Sequence, residues 1–328
     1  MATAKDVADR AGTSTAVVSY VFNDGPRPVS PATKVRVLKA ADELNYRPHA
    51  AARALTMGRT DSFGLVVPSI QNPFFGELAH AVEMAAKEAG HLLLIADSAM
   101  DPDQEKRQID AFVGRRVDGI ILVSCETRQD VSSVVSNGIP VVALHPVSKD
   151  QPSQTVYMNY SKAAENLTGH LISQHKIKSL LLITAVTERG GSKDHRKGVN
   201  NAIQKSQKKI GLVEIQADVS RSSAFEVCTE YLKKNSKPEA IYCATDEQAY
   251  GVLAALNTMN IRVPEEIKVV GFDGTKHSEF SVPALTTVRQ PLETIAKRAI
   301  QLLTNEPVEP LPKNALDGEL IIRRSCGC

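Results

Sequence analysis

The sequence predicts a small all-α head on a larger α/β body. Three observations carry this. Capped helical stretches with a glycine stop fill residues 1–60. From Phe63 onward, short apolar runs alternate with amphipathic stretches. Charge divides at the same place: residues 1–60 hold nine Lys/Arg and five Asp/Glu, a net +4, while the remaining 30 basic and 32 acidic residues give −2. A basic head on a slightly acidic body points the head at a polyanion. At 328 residues the chain exceeds one ordinary core.

In the head, Lys5–Ala11 reads as a helix with Val7, Ala8 and Ala11 on one face and Gly12 as its stop. Thr13-Ser14 offers an N-cap for Ala16–Phe22, with Val17, Val18, Val21 and Phe22 as the buried stripe. Asn23-Asp24-Gly25-Pro26 breaks the chain. Ser30-Pro31 then supplies a cap followed by proline at the first helical position, and Val35, Leu38, Ala41 and Leu44 recur at helical spacing. Two short helices on a glycine turn, with a third behind, make a helix-turn-helix. The second helix would enter a major groove with Thr15, Ala16, Ser19 and Tyr20 outward. Its hydroxyls and free amides suit phosphates, and Thr15, Ala16 and Tyr20 suit base edges or thymine methyls.

In the body, buried parallel strands are expected at Phe63–Val67, Leu92–Ala96, Gly119–Val123, Pro140–Leu144, Leu180–Thr184, Ala240–Ala244 and Lys268–Phe272. Helices are expected at Phe74–Ala89, Ser161–Gln174, Ala224–Lys233 and Glu247–Met259. Two such sets, split near Asn159–Ser161, predict two Rossmann-like lobes with parallel sheets and a ligand cleft between them.

Ordered motifs along nearly the whole chain resemble the LacI/GalR family. In the head they are Asp6-Val7-Ala8, Gly12, Ser14, Val18-Ser19, Asn23, Val29-Ser30, Thr33 and Leu44-Asn45-Tyr46. In the body they are Asn72-Pro73-Phe74-Phe75, Val117–Ile121, Thr245-Asp246, Val270–Asp273, Pro283–Pro291 and Ile322–Ser325. The resemblance implies a repressor whose body is like a periplasmic sugar-binding protein. It implies a helix-turn-helix domain at 1–47, a hinge helix and linker at 48–61, a first lobe from 62–160 and 290–328, and a second lobe from 161–289. The DNA-contacting set it implies is Thr3, Ser14, Thr15, Ala16, Ser19, Tyr20, Asn23, Thr33, Tyr46, His49, Ala51 and Leu55. Leu55 would either wedge into the minor groove or pack as part of a linker. With the chain ending shortly after Ser325, a homodimer on a palindromic double-stranded operator is expected.

The effector set implied by position is Asn72, Phe74, Phe75, His195, Arg196, Asp246 and Asp273. Phe75 could stack on a ring or fill the core. Asp246 could hold ligand or cap the helix beginning at Glu247. Asp273, after a strand, is the best polar anchor. His195 stands where the family usually has arginine, so His195 or Arg196 could meet an anionic group or form an exposed basic pair.

Other classes fit poorly. The longest apolar runs, such as Leu92–Ala96, are far short of a membrane span, and the polar start does not read as a signal peptide, so the cytoplasm is expected. A sugar-binding receptor without a DNA role would not need the head. The chain has no G-x-G-x-x-G, G-x-x-x-x-G-K-[ST] or G-x-S-x-G, which argues against an enzyme, and no cofactor is expected. Of five cysteines, Cys125, Cys228 and Cys243 read as small core residues. Cys326-Gly327-Cys328 has no ligands nearby in sequence, and His170 and His175 show no partner arrangement, so no metal is expected.

Overall fold

The computed structural model describes residues 2–23, 27–47, 58–124, 131–145, 154–186, 191–306 and 316–328. His49, Ala51 and Leu55 lie outside them, as does Cys125. Contacts divide the chain into two units, Met1–Asp61 and Ser62–Cys328.

The first unit holds α1 (Ala4–Ala11), α2 (Thr15–Asn23) and α3 (Pro31–Glu43). Thr3 caps α1 in a capping box with Asp6, and Gly12 ends it at φ 62°, a left-handed conformation that glycine adopts without a Cβ penalty. Ser14 Oγ accepts the Val17 N–H at 3.3 Å and so caps α2. Ser30 Oγ accepts the Thr33 N–H at 3.3 Å, with Pro31 opening α3. Val7, Ala8, Ala11, Val18, Val21, Val37, Ala40 and Ala41 form the core, with Phe22, Leu44 and Tyr46 against it. The buried face of α3 differs from the expected one. Val35 is 65% exposed and Leu38 43%, while Val37 is fully buried. With apolar residues at 35, 37, 38, 40 and 41, two helical stripes are nearly equivalent, and packing against α1 and α2 selects the one containing two alanines.

In the second unit the order is β1 (Ser62–Val67), α4 (Pro73–Glu88), β2 (Leu92–Asp97), α5 (Pro102–Gly114), β3 (Gly119–Leu122), α6 (Ser132–Ser136), β4 (Val141–Ala143) and β5 (Gln154–Thr155). There follow α7 (Tyr160–Gln174), β6 (Ser179–Ala185), α8 (Ser192–Ser206), β7 (Gly211–Ala217), α9 (Arg221–Lys234), β8 (Ala240–Cys243), α10 (Asp246–Thr258) and β9 (Lys268–Val270). The chain closes with α11 (His277–Phe280), β10 (Thr287–Arg289), α12 (Leu292–Leu303), β11 (Glu319–Ile321) and a 3₁₀ turn at Arg324–Cys326.

Two parallel sheets result, ordered β2-β1-β3-β4-β5 and β7-β6-β8-β9. Each reverses strand order beside its first strand, and ligands of such sheets bind outside the carboxyl ends at that point. All seven expected strands are present, but β2 lies at a sheet edge and is not buried, with Leu92 65% and Ile95 48% exposed. β7 was not expected. Its sequence Gly-Leu-Val-Glu-Ile-Gln-Ala interleaves polar residues because it is an edge strand with a half-exposed face.

The last segment divides between the lobes rather than returning whole to the first. Ile295, Ala296, Ala299, Ile300 and Leu303 of α12 join the first-lobe core with Phe63, Leu65 and Val82. Leu320 and Cys326 pack instead with Leu167, Tyr242 and Phe272 of the second. The physical reason is antiparallel pairing: Thr287–Arg289 binds Glu319–Ile321, drawing the tail back across. Close helix approaches set the second lobe's shape. A Cβ on Gly198 would stand 2.2 Å from the Ser161 carbonyl oxygen, so α8 meets α7 almost backbone to backbone.

Candidate nucleic-acid interface and effector site

On the head, Ser14, Thr15 and Ala16 are exposed at the start of α2, and Ser19, Tyr20 and Asn23 are half-buried farther along it. Five of these six lie on α2 itself, and Ser14 caps its N-terminus, where free amides face outward. Asn23 Nδ2 donates to Ser19 Oγ at 3.1 Å, which fixes both side chains along the helix. Three others support the frame as well as being accessible. Thr3 caps α1, the Ser30 hydroxyl donates to Thr33 Oγ1 at 2.9 Å, and Tyr46 packs edge-on against Phe22 with ring centroids 5.8 Å apart.

In the body, the polar residues converge where β9 runs into the crossing strand β10. Asp273 follows β9 and is buried at φ 116°, a strained conformation for a residue with a Cβ. Its N–H donates to Val288 O at 3.0 Å, and Gln290 Nε2 donates to its Oδ1 at 2.9 Å. Tyr160, at the first crossing between lobes, donates its hydroxyl to Gln290 Oε1 at 3.2 Å and stacks on Phe272. Burial, then the nearby Asp246 carboxylate, pushes the Asp273 carboxyl well above the usual range. Burial likewise pushes Tyr160 up, to a lesser degree offset by Gln290.

The lobes also meet directly. The Lys276 N–H, after β9, donates to Glu77 Oε1 on α4 at 2.8 Å.

The head and the body each match a family model. Residues 3–49 match the bacterial regulatory proteins of the lacI family. Residues 60–310 match the periplasmic binding proteins and sugar-binding domain of the LacI family. The chain belongs to the LacI family. It is a DNA-binding transcription regulator with a ligand-binding body of the sugar-binding type. It is similar to the HTH-type transcriptional repressor PurR of Pasteurella multocida, 31% identical over 99% of this chain and 98% of that protein. It is also similar to the ribose operon repressor of Escherichia coli K12, 30% identical over 94% of each. A lac repressor dimer bound to operator and an anti-inducer shares the fold, with TM-score 0.85 and 23% identity over 99% of each chain.

Within this LacI-family body, the expected effector residues fall into different environments. Asn72 caps α4, its Oδ1 accepting the Phe74 N–H at 3.0 Å. Phe74 is buried in the first-lobe core, while Phe75 is half-buried and packs against the same core beside it. Asp246 does not cap α10: Thr245 does, its Oγ1 accepting the Gln248 N–H at 3.2 Å. Asp246 instead accepts from Thr287 Oγ1 at 2.6 Å, Thr275 N at 2.8 Å and Thr275 Oγ1 at 3.0 Å, joining the β9 exit to β10. Burial, against these hydrogen bonds, pushes its carboxyl up to about 7.

His195 and Arg196 do not form an exposed basic pair. His195 is buried, shares a 2.7 Å hydrogen bond between its Nδ1 and the Tyr242 hydroxyl, and meets Phe272 edge-on at 4.4 Å. Burial holds its imidazole down to about 3, so it is neutral and not a charge for an anion. Arg196 is half-buried rather than free in solvent, its side chain 33% accessible. It makes bidentate hydrogen bonds to Glu214 at 2.7 and 2.8 Å. Sequence reasoning passed over Tyr160, Gln290 and Glu77. Gln290 stood inside the quoted Pro283–Pro291 run, and its place just past a strand was the available signal. Glu77 and Lys276 are 199 residues apart, and no sequence pattern joins them.

Proposed function

We propose that this LacI-family regulator is a cytoplasmic repressor that binds a two-fold symmetric DNA operator as a homodimer. A small uncharged metabolite rich in hydroxyls, a sugar or a nucleoside, binds between its lobes and shifts operator affinity. The observation that carries the reading is the chain Tyr160–Gln290–Asp273, set at the carboxyl end of β9 where the backbone crosses between lobes. A strained, buried acidic residue tied to two crossings is placed to feel both a ligand hydroxyl and a change of lobe angle. The neutral His195 and the Glu214-paired Arg196 favour an uncharged ligand over a phosphate. The name of the ribose operon repressor points to the same class.

Repression and release follow from linkage. If the ligand binds one lobe arrangement better, it shifts the population of heads poised for operator, with a coupling of typically ~1–3 kcal/mol. The mechanism contains no bond-making step, and the chain acts by binding alone.

Thermal unfolding of the full chain against sugars, sugar phosphates, nucleosides and purine bases tests this. A ligand at about 100 times its Kd adds about 2.7 kcal/mol to the domain that holds it. A rise with a neutral sugar or nucleoside is expected. A rise confined to sugar phosphates would overturn the uncharged ligand.

A further inference from the structure

His170 and His175, separate from any partner in the sequence, stand beside the last residues of the chain. His170 Nε2 lies 3.6 Å from both Cys326 Sγ and Cys328 Sγ, and His175 Nε2 lies 3.3 Å from Cys328 Sγ. The four ligand atoms all lie within 4.8 Å of one another. We propose that these two imidazoles and two thiols form a binding site for a tetrahedral, thiolate-accepting metal ion, with Zn²⁺ as its occupant.

The spacing is that of one ion's coordination shell. Zn–S bonds of about 2.3 Å and Zn–N bonds of about 2.05 Å at tetrahedral angles put S and N about 3.5 Å apart. The three S···N distances bracket that value. Two sulfur and two nitrogen donors in a tetrahedron select zinc over hard oxygen-seeking cations. Four protein ligands leave no open position, so the site is structural rather than catalytic.

The frame is built to hold the donors. Gly327 takes φ 98°, which turns the chain so that both cysteines of the C-x-C face α7. Cys326 is fully buried in the second-lobe core. Ser325, just before it, donates to Val269 O at 2.6 Å, accepts from Thr286 N at 2.8 Å, and gives its own N–H to Ala284 O at 2.9 Å. His170 sits on α7, and His175 ends that helix.

Binding balances simply. Each thiol loses a proton to solvent, and two thiolates with two neutral imidazoles neutralise the dication. The ion would clamp the tail that follows β11 onto the helix that opens the second lobe, stapling a crossing segment to the lobe it returns to.

Untagged full-length chain, reduced and stripped with chelator, is titrated with Co²⁺ and then Zn²⁺. The expected result is a thiolate-to-cobalt charge-transfer band with tetrahedral d–d bands, saturating at one equivalent and abolished by Zn²⁺. Cys328→Ser and His175→Gln, at exposed and half-exposed positions, should fold normally by circular dichroism and lose the charge-transfer intensity. Zn²⁺ should raise the Tm of wild type and not of a variant carrying both Cys328→Ser and His175→Gln. A folded, reduced chain with no charge-transfer band would overturn the site, as would the same band and Tm shift in the variants.

Discussion

Gln290 Nε2 donates to Asp273 Oδ1 at 2.9 Å, both groups being buried. The pair ties a strained residue at the end of β9 to the first residue past β10, so the ligand candidate and the crossing strand cannot move independently. Gln290→Ala removes the donor and leaves a buried acidic group short of a partner. A loss of about 1–3 kcal/mol is expected in urea unfolding of the body. The same variant should show a weaker effector-induced Tm shift than wild type. An unchanged shift would take the pair out of the coupling path.

His195 and Asp246 should give pH dependences of opposite sign. His195 is held down to about 3 when folded, against an ordinary value near 6.5. The unfolded chain therefore binds the extra proton. The stability this group contributes is complete above pH about 6.5 and is lost as pH falls toward about 3. Asp246 is pushed up to about 7 from 3.8, so its contribution is complete below about 4 and is lost as pH rises through about 7. Stability measured against pH for wild type, His195→Gln and Asp246→Asn separates the two. The wild type should lose stability relative to His195→Gln on acidification, and relative to Asp246→Asn on alkalinisation. Parallel curves would contradict the buried environments.

Gly198 has no room for a methyl group. An added Cβ would lie 2.2 Å from Ser161 O and 2.7 Å from Ala164 Cβ. Backbone cannot yield as a flexible side chain would, so Gly198→Ala should cost about 1–3 kcal/mol or more through overpacking. Gly169, on the facing helix α7, meets nothing within 4 Å of its virtual Cβ, and Gly169→Ala should be neutral or slightly stabilising. Equal Tm values for the two variants would refute the close approach.

These residues show what the sequence made legible. The head was readable because its signals are local: Gly12, Ser14 and Ser30-Pro31 each act within four residues. Buried strands such as Phe63–Val67 were readable because both faces are covered and the run is wholly apolar. The edge strand β7 escaped because one face meets solvent. The face of α3 was misjudged because apolar residues at adjacent positions offer two stripes. The site was harder. Asp273 could be placed from its strand, yet its partner Gln290, the Thr275 and Thr287 hydroxyls around Asp246, and the Glu214 carboxylate on Arg196 come from other elements. A charge on Arg196 reads as available until the strand beside it is known. His170 and Cys328 are 158 residues apart, beyond any spacing rule for metal ligands.

In the proposed function, a metabolite held by the body governs sequence-specific DNA binding by the head. The most direct test is fluorescence anisotropy on a duplex selected by the full chain from random-sequence DNA, with and without the metabolite found by thermal screening. The expected result is a two-fold symmetric site bound at least ~10³-fold more tightly than random duplex at the same salt. The metabolite should change that affinity by a factor of about 5–150, and operator should change metabolite affinity by the same factor. Selection that enriches no site, or a metabolite that binds tightly and leaves operator affinity unchanged, would contradict it.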